Sequence, residues 1–362
     1  MRIDVLDATA DSKEWEDTLS AFPSNCQDIY LTAAYHQLQQ SNGDGAGRLF
    51  IVEHGAERLL YPFLIRDVPS VGDVGGPEQL QDIETVYGYS GPVATTTEPE
   101  FLCRSWDAFH QWCEEKNVVS EFLRFNPLIA NHRYAGESCR LILDRETVTI
   151  DLDVSPEVLW RQYPSGQRNK VQKAENSGLT CEEVSLADGL ERFRQMYRAT
   201  MQRLNAARYY KFSEAYFENL GTLLAKNIKL FEVRKEEQLL AAGLFLNYDD
   251  RLHYHLGASD SQQWQERPNN LLFHSVSLWG IERGFKTLHL GGGRTPAVDD
   301  GLLKFKSSLS KLRAPFYLGV RIHDQTTYDS LCDSWLRASR VSKKPAYFQM
   351  YRLPLVGDVF EG

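Results

Sequence analysis

The side chains best suited to chemistry stand in a few short stretches. In His253-Tyr254-His255 a strand would put both imidazoles on one face and the phenol on the other. An imidazole there is a candidate base as well as an ordinary core residue, and the phenol can donate or accept a hydrogen bond to a ligand. His289 closes an apolar run just before Gly291-Gly292-Gly293, a placement that offers a side chain to a ligand and equally suits a tight strand-to-helix turn. Arg168, Lys170, Lys173 and Arg203 read as a basic wall for a phosphate-bearing ligand, with a solvated surface as the plainer account. Tyr87 and Tyr89, flanked by Gly88 and Gly91, form a loop that either presents aromatic faces to a ligand or simply turns. The cysteines (Cys26, Cys103, Cys113, Cys139, Cys181 and Cys332) are widely spaced, with no CxxC or Cys/His ligand pattern. They are expected to be buried free thiols, and no metal site is expected.

These residues need a scaffold. A chain of 362 residues with 42% hydrophobic and 25% charged content is long enough for two domains of roughly 100 to 200 residues each. Its net charge of -9 argues against a surface that embraces nucleic acid throughout. No apolar run approaches the roughly 18 residues of a spanning helix, and the opening MRIDVLDATADSKEWED is acidic where a signal peptide would be basic, so a cytoplasmic location is expected.

One pattern occurs twice. Leu49–Val52, a polar turn and Leu59–Leu64 read as a hairpin, and Leu230–Val233, Lys235-Glu236-Glu237 and Leu239–Phe245 repeat it 181 and 180 residues later. Each hairpin is followed by a helix and a strand, 100–116 then 118–125 and 269–284 then 287–290. Between the copies, Thr147 to Leu152 alternates like a strand, and Ser155-Pro156 supplies an N-cap with proline at the first helical position. An amphipathic helix follows, with Leu190, Phe193, Tyr197, Met201 and Leu204 at helical spacing. Ser213 caps another, with Phe217, Leu220 and Leu224 as its buried stripe. The expected fold is α/β, with two tandem domains, 1–145 and 146–324, each a mixed sheet flanked by helices.

The chain resembles the FemAB family of peptidoglycan bridge-forming aminoacyltransferases and the wider FemAB-like GNAT proteins found with surface-polysaccharide genes. The resemblance rests on Tyr87–Pro92, Arg168-Asn169-Lys170 with Lys173-Ala174, Thr200–Arg203 with Tyr210, His253–Leu256, Pro268–Leu272, His289–Gly293 and Asp300–Lys306, in that order. It implies two GNAT-like domains with a cleft at their junction and the tail 325–362 packed back on the first.

The resemblance also implies an activity: N-acyl or aminoacyl transfer to an amine of an amino sugar or peptide stem on a nucleotide- or lipid-linked envelope precursor. No tightly bound cofactor is implied. The donor is a co-substrate: aminoacyl-tRNA, acyl-CoA or a carrier-protein thioester. Lys306 occupies the family's Phe-Lys position, where a cation can hold the oxyanion that develops during acyl transfer. His255 is the candidate base, and Tyr87, Tyr89, Arg168, Arg203, Tyr210, Tyr254, Asn270, His289 and Phe305 are expected to bind substrate. Transfer of this kind needs no metal. Two departures bear on the donor. The long helical hairpin arm common in tRNA-using relatives has no counterpart between Leu190 and Lys226, and the R/Q-x-x-G-x-G/A loop of acetyl-CoA enzymes reads Gln265-Glu266-Arg267-Pro268-Asn269-Asn270 here. The alternative function is a non-catalytic double-GNAT module that binds a precursor or a synthase partner.

Overall fold

The computed structural model describes residues 1–70, 79–205, 212–297, 299–339, 341 and 343–355. The chain divides into two compact units, Met1–Asp144 with Phe316–Gly362, and Arg145–Pro315.

The first unit opens with β1 (Arg2–Asp7), α1 (Ser12–Ser20) and α2 (Ala33–Ser41), followed by the hairpin β2 (Ala46–His54) and β3 (Glu57–Asp67). The short strands β4 (Gln81–Glu84) and β5 (Val93–Ala94) lead to α3 (Pro99–Glu115) and β6 (Val118–Arg124). Its sheet runs β1-β2-β3-β4-β6, antiparallel except for the β4–β6 pair. α3 starts on Pro99, whose missing N–H costs nothing in the first turn. It buries Phe101, Trp106 and Phe109 against Phe50, Tyr61 and Phe63, while Trp15 and Leu31 join Leu49, Ile51 and Leu60 in the cluster on the opposite face.

The second unit takes in the later part of β7 (Arg140–Asp151), then α4 (Pro156–Gln162), α5 (Ser165–Asn176), β8 (Leu179–Val184), α6 (Leu186–Arg203) and α7 (Glu214–Leu223). β9 (Ile228–Lys235), β10 (Gln238–Tyr248), β11 (Arg251–Ser259), α8 (Pro268–Glu282), β12 (Thr287–Gly291) and α9 (Gly301–Ser307) complete it. Its sheet runs β8-β9-β10-β11-β12-β7, and only β11–β12 is parallel. The hydroxyls of Ser155, Ser185 and Ser213 accept from backbone N–H groups in the first turns of α4, α6 and α7, so capping serines set these starts. Leu204, read as part of the α6 apolar stripe, is the C-cap residue and is exposed.

β13 (Leu312–Ile322) and α10 (Gln325–Ser339) follow. Leu318–Ile322 of β13 pairs antiparallel with β6 and finishes the first sheet. Tyr328, Leu331 and Trp335 of α10 cluster with Val119, Met350 and Tyr351. The buried Asp82 accepts from Arg66 at 2.9 Å and from the Tyr351 hydroxyl at 2.9 Å, so the late segment is tied to β4 by charge as well as by burial.

The two sheets have one plan. Strand, two helices, hairpin, strand, helix, parallel strand describes β1 through β6 and again β8 through β12, and each sheet ends on an antiparallel strand from elsewhere in the chain, β13 or β7. The fold is α/β, with a mixed sheet and helices on both faces in each unit.

Candidate active site

The last turns of the second unit converge on Lys306. Gly291 has φ +74°, a left-handed conformation that glycine adopts without strain. A Cβ on Gly293 would lie 2.6 Å from Oδ1 of Asp300, so only glycine lets the loop pass that carboxylate. Asp300 then caps α9, with Oδ1 accepting from the N–H groups of Leu302 and Leu303 at 2.9 and 3.0 Å and Oδ2 from Thr295 at 3.2 Å. One short turn later the helix delivers Phe305 into the core, its ring 5.9 Å from that of Phe273, and leaves Lys306 on the neighbouring side.

Lys306 is 5% exposed. Its Nζ donates to the Gly292 carbonyl at 2.8 Å and lies 5.6 Å from the centre of the Tyr254 ring, within cation–π range. Burial lowers its pKa to about 7, with Asp300 opposing that shift and Arg145 adding to it. The Arg145 guanidinium donates to the Gly293 carbonyl at 2.7 Å, so consecutive glycine carbonyls receive the two cations. Tyr254 packs against Phe245 and Phe273, and burial raises its phenol to about 12, which keeps it a neutral hydrogen-bonding group.

The imidazoles are on the other face of β11. His253 pairs in register with His289 on β12, and their Nδ1 atoms are 3.3 Å apart. Burial, then His253, then Lys306 hold His289 well below the usual histidine range, so it is neutral. His255 Nε2 is 3.0 Å from the Tyr216 hydroxyl of α7, and burial with the nearby His253 pushes its pKa down to about 3. Lys306, Tyr254 and Phe305 are therefore brought together, whereas His255 belongs to a separate buried group with Tyr216.

The remaining candidates are dispersed. Asn270, in the first turn of α8, donates to Oε1 of the buried Gln167 on α5 at 2.7 Å. Arg168 on α5 donates to the Tyr163 carbonyl at the end of α4. Arg203, on the last turn of α6, stacks 4.6 Å over the ring of Trp264. Among the described residues no contact joins Arg168 to Arg203. Tyr87 and Tyr89 are in the first unit: the Tyr87 carbonyl accepts from the Tyr35 hydroxyl at 2.8 Å, and the Tyr89 ring meets Tyr30 and Phe316 edge-on. Gly88, at φ +107°, passes so close to the Tyr30 ring that a Cβ would lie 2.4 Å from it. Tyr210 lies outside the described residues. Of the cysteines expected to be buried, Cys26, Cys113 and Cys332 are, Cys139 and Cys181 are half-buried, and Cys103 is exposed because it lies on the solvent side of α3.

The turn before α8 differs from an open phosphate cradle. Arg267 has φ +64°, Pro268 brings no N–H, and the N–H groups of Asn270 and Leu271 both go to the Arg267 carbonyl at 3.1 and 3.3 Å. Sequence reasoning missed Arg145, Tyr216 and Gln167, which reach their partners only through the fold. Asp300 carried a local signal as an aspartate just ahead of a helical run.

Residues 165–305, from the first turn of α5 to Phe305, match the family described as "Acetyltransferase (GNAT) domain". Among solved structures, FemX is similar over 91% of this chain and 99% of its own, at TM-score 0.67 and 16% identity. With the repeated sheet plan, that agreement decides the architecture. The chain has a FemX-like, double-GNAT fold. The C-terminal DUF2156 domain of a protein described as a lysylphosphatidylglycerol synthetase from Agrobacterium fabrum is similar at TM-score 0.55 and 15% identity, over 91% of this chain and 97% of that one. L-PGS from Bacillus licheniformis also has TM-score 0.55, at 17% identity over 85% of this chain and 91% of its own. No curated protein matches this chain in sequence. Most of the second unit thus matches a GNAT domain model, and the Lys306 cage is built from the unit's last helix and the glycine turn before it. No helix among the described residues is long and apolar enough to cross a membrane.

Proposed function

We propose that the chain transfers an acyl or aminoacyl group to an amine on a nucleotide- or lipid-linked cell-envelope precursor, with Lys306 as the cation that stabilises the reacting oxygen. The observation that carries this reading is the buried Lys306 ammonium, held at 2.8 Å on the Gly292 carbonyl beside the Tyr254 ring. In the transfer the amine attacks the donor carbonyl, a C–N bond forms, and the bond to the donor's oxygen or sulfur breaks. The charge that builds on the carbonyl oxygen is stabilised by a cation already stripped of water. The amine loses a proton as the leaving group gains one. A lysine whose pKa is about 7 can hold or release a proton at neutral pH, so the same group can serve this exchange.

Tyr254 and Phe305 line Lys306, and we assign Tyr254 to substrate contact through its phenol. His255 is already engaged with Tyr216 and has a pKa near 3, which makes it a weak base; its proposed part is to position Tyr216. The donor turn supports an aminoacyl ester or a carrier thioester over acyl-CoA, because Pro268 and the bonded N–H groups of Asn270 and Leu271 leave little for a pyrophosphate. The description of one structural relative as a lysylphosphatidylglycerol synthetase adds weight to an aminoacyl donor.

The test incubates the full chain with charged tRNA, acyl-CoA or acyl-carrier protein in turn, each with UDP-linked amino sugars, UDP-linked peptide stems or lipid-linked precursors, and looks for new amides by mass spectrometry. A new amide that disappears in Lys306→Met supports the reading. A chain that binds precursor yet makes no amide from any pair is a binding module instead.

A further inference from the structure

The first unit buries a second polar cluster that the transfer chemistry does not use. Cys113 is in the last turn of α3, Glu121 is in the middle of β6, and His323 follows β13 directly. One ligand atom from each lies within 4.8 Å of the others. Cys113 and Glu121 are fully buried, and the His323 side chain is 3% exposed.

The Glu121 carboxylate is the anomaly. Both of its oxygens are buried without a hydrogen-bond partner, and His323 Nε2, at 3.5 Å from one of them, is likewise outside hydrogen-bond geometry. Arg321 stands opposite Glu121 in the β6–β13 register, but its guanidinium donates to the Ser138 carbonyl at 2.7 Å, and no ion pair joins it to Glu121 among the described residues. A buried carboxylate with no partner is strongly disfavoured, so something is expected to neutralise it. His110, one turn before Cys113, has its ring 5.7 Å from that of His323 and a buried Nε2 that also lacks a partner.

We propose that Cys113, Glu121 and His323 form a structural binding site for a zinc-class divalent cation, with His110 as a neighbouring further donor. A thiolate and a carboxylate together carry the two negative charges that balance such an ion, and a neutral imidazole completes a sulfur, oxygen and nitrogen set typical of zinc. Tetrahedral bonds of about 2.0 to 2.3 Å need ligand atoms somewhat closer than 4.8 Å, a contraction within reach of side-chain rotation. Without a cation, burial and then the Glu121 carboxylate raise the Cys113 thiol well above its usual range. On binding, the ion displaces the thiol proton to solvent, and the sulfur becomes a ligand. The site would fasten α3 to β6 and to the end of β13, joining segments about 200 residues apart in sequence. No local motif announces it, which is why the sequence led to no metal being expected.

The test uses the full chain without an affinity tag, grown with added zinc and purified without chelators, and measures metal by mass spectrometry. About one zinc per chain is expected. Chelation should lower the melting temperature, and zinc chloride, but not magnesium chloride, should restore it. In Cys113→Ser and His323→Gln, retained zinc should fall about tenfold. Should these variants fail to fold, cobalt(II) bound to the unmodified chain supplies the check: a thiolate-to-cobalt absorption band supports the site, and its absence overturns it. Less than about 0.1 zinc per chain, with a melting temperature unmoved by added zinc, would also overturn it and leave a closed Glu121–His323 ion pair. Zinc retained equally by both variants would place the ion elsewhere and reject these ligands.

Discussion

The ammonium of Lys306 donates to the carbonyl of Gly292 across 2.8 Å, so a buried cation is fixed by a backbone atom instead of by a carboxylate. That arrangement leaves its charge available to a bound substrate, since a tight ion pair would neutralise it. Lys306→Met keeps the apolar stem and removes the charge. Turnover should fall by about a hundredfold or more while the melting temperature stays level or rises slightly, because a desolvated charge has been removed. Near-normal turnover with true substrates would return Lys306 to a structural role.

The pH dependence has a defined sign. In the fold Lys306 titrates at about 7, against an ordinary value of 10.5, so between these limits the unfolded chain binds the extra proton and stability should rise with pH. The slope for one such group is at most about 1.4 kcal/mol per pH unit. Denaturant titrations of the wild type and Lys306→Met over this range should show a flatter curve for the variant. If the cation is the active form, turnover should instead decline as pH rises through about 7. A rate that climbs through that window would make the free amine the working species.

His255 and Tyr216 offer a sharp contrast with Lys306. Because the imidazole is neutral and bonded to the phenol, Tyr216→Phe and His255→Gln should mainly lower stability, by about 1 to 3 kcal/mol, and reduce turnover only severalfold, with the shape of the pH–rate profile retained. Loss of one limb of that profile in His255→Gln would make His255 the base after all.

Asn270 is tested by what it leaves behind. Asn270→Ala removes the donor to Oε1 of Gln167, whose Nε2 is already buried without a partner, and should cost about 1 to 3 kcal/mol in urea denaturation. If stability is unchanged and acceptor KM rises, Asn270 contacts substrate instead.

The glycine turn can be probed from the other side. In Gly293→Ala the added methyl meets the Asp300 carboxylate, so the α9 cap and the Lys306 cage should loosen together. Lower melting temperature and lower turnover are expected in the same variant, with a cap loss worth about 1 kcal/mol. A variant that loses neither would show that the loop can shift without moving Lys306.

Hairpins, helix starts and the repeat were readable because their causes are local. Leu49–Val52 and Leu230–Val233 run largely apolar within a few residues, and Ser155 and Ser213 accept from N–H groups only three positions ahead, whereas the Ser185 cap of α6 was not read. Phe305 and Lys306 were singled out by the family resemblance and by no local pattern of their own. The unread part is long-range. Arg145 reaches the Gly293 carbonyl from 148 residues away, and Gln167 meets Asn270 across 103. No spacing rule encodes those meetings, and the two-fold alternation that separated His253 and His255 from Tyr254 could not say that one imidazole would face His289 and the other Tyr216.

β13 gives the first sheet its final strand only after the whole of the second unit has been made. On the ribosome, the earlier segment must therefore wait with the edge of β6 unpaired until β13 has emerged. An unpaired edge is a template for aggregation. The amino-terminal portion is thus the part of the nascent chain that would depend on chaperones, and a recombinant fragment cut after residue 144 would inherit the same open edge permanently.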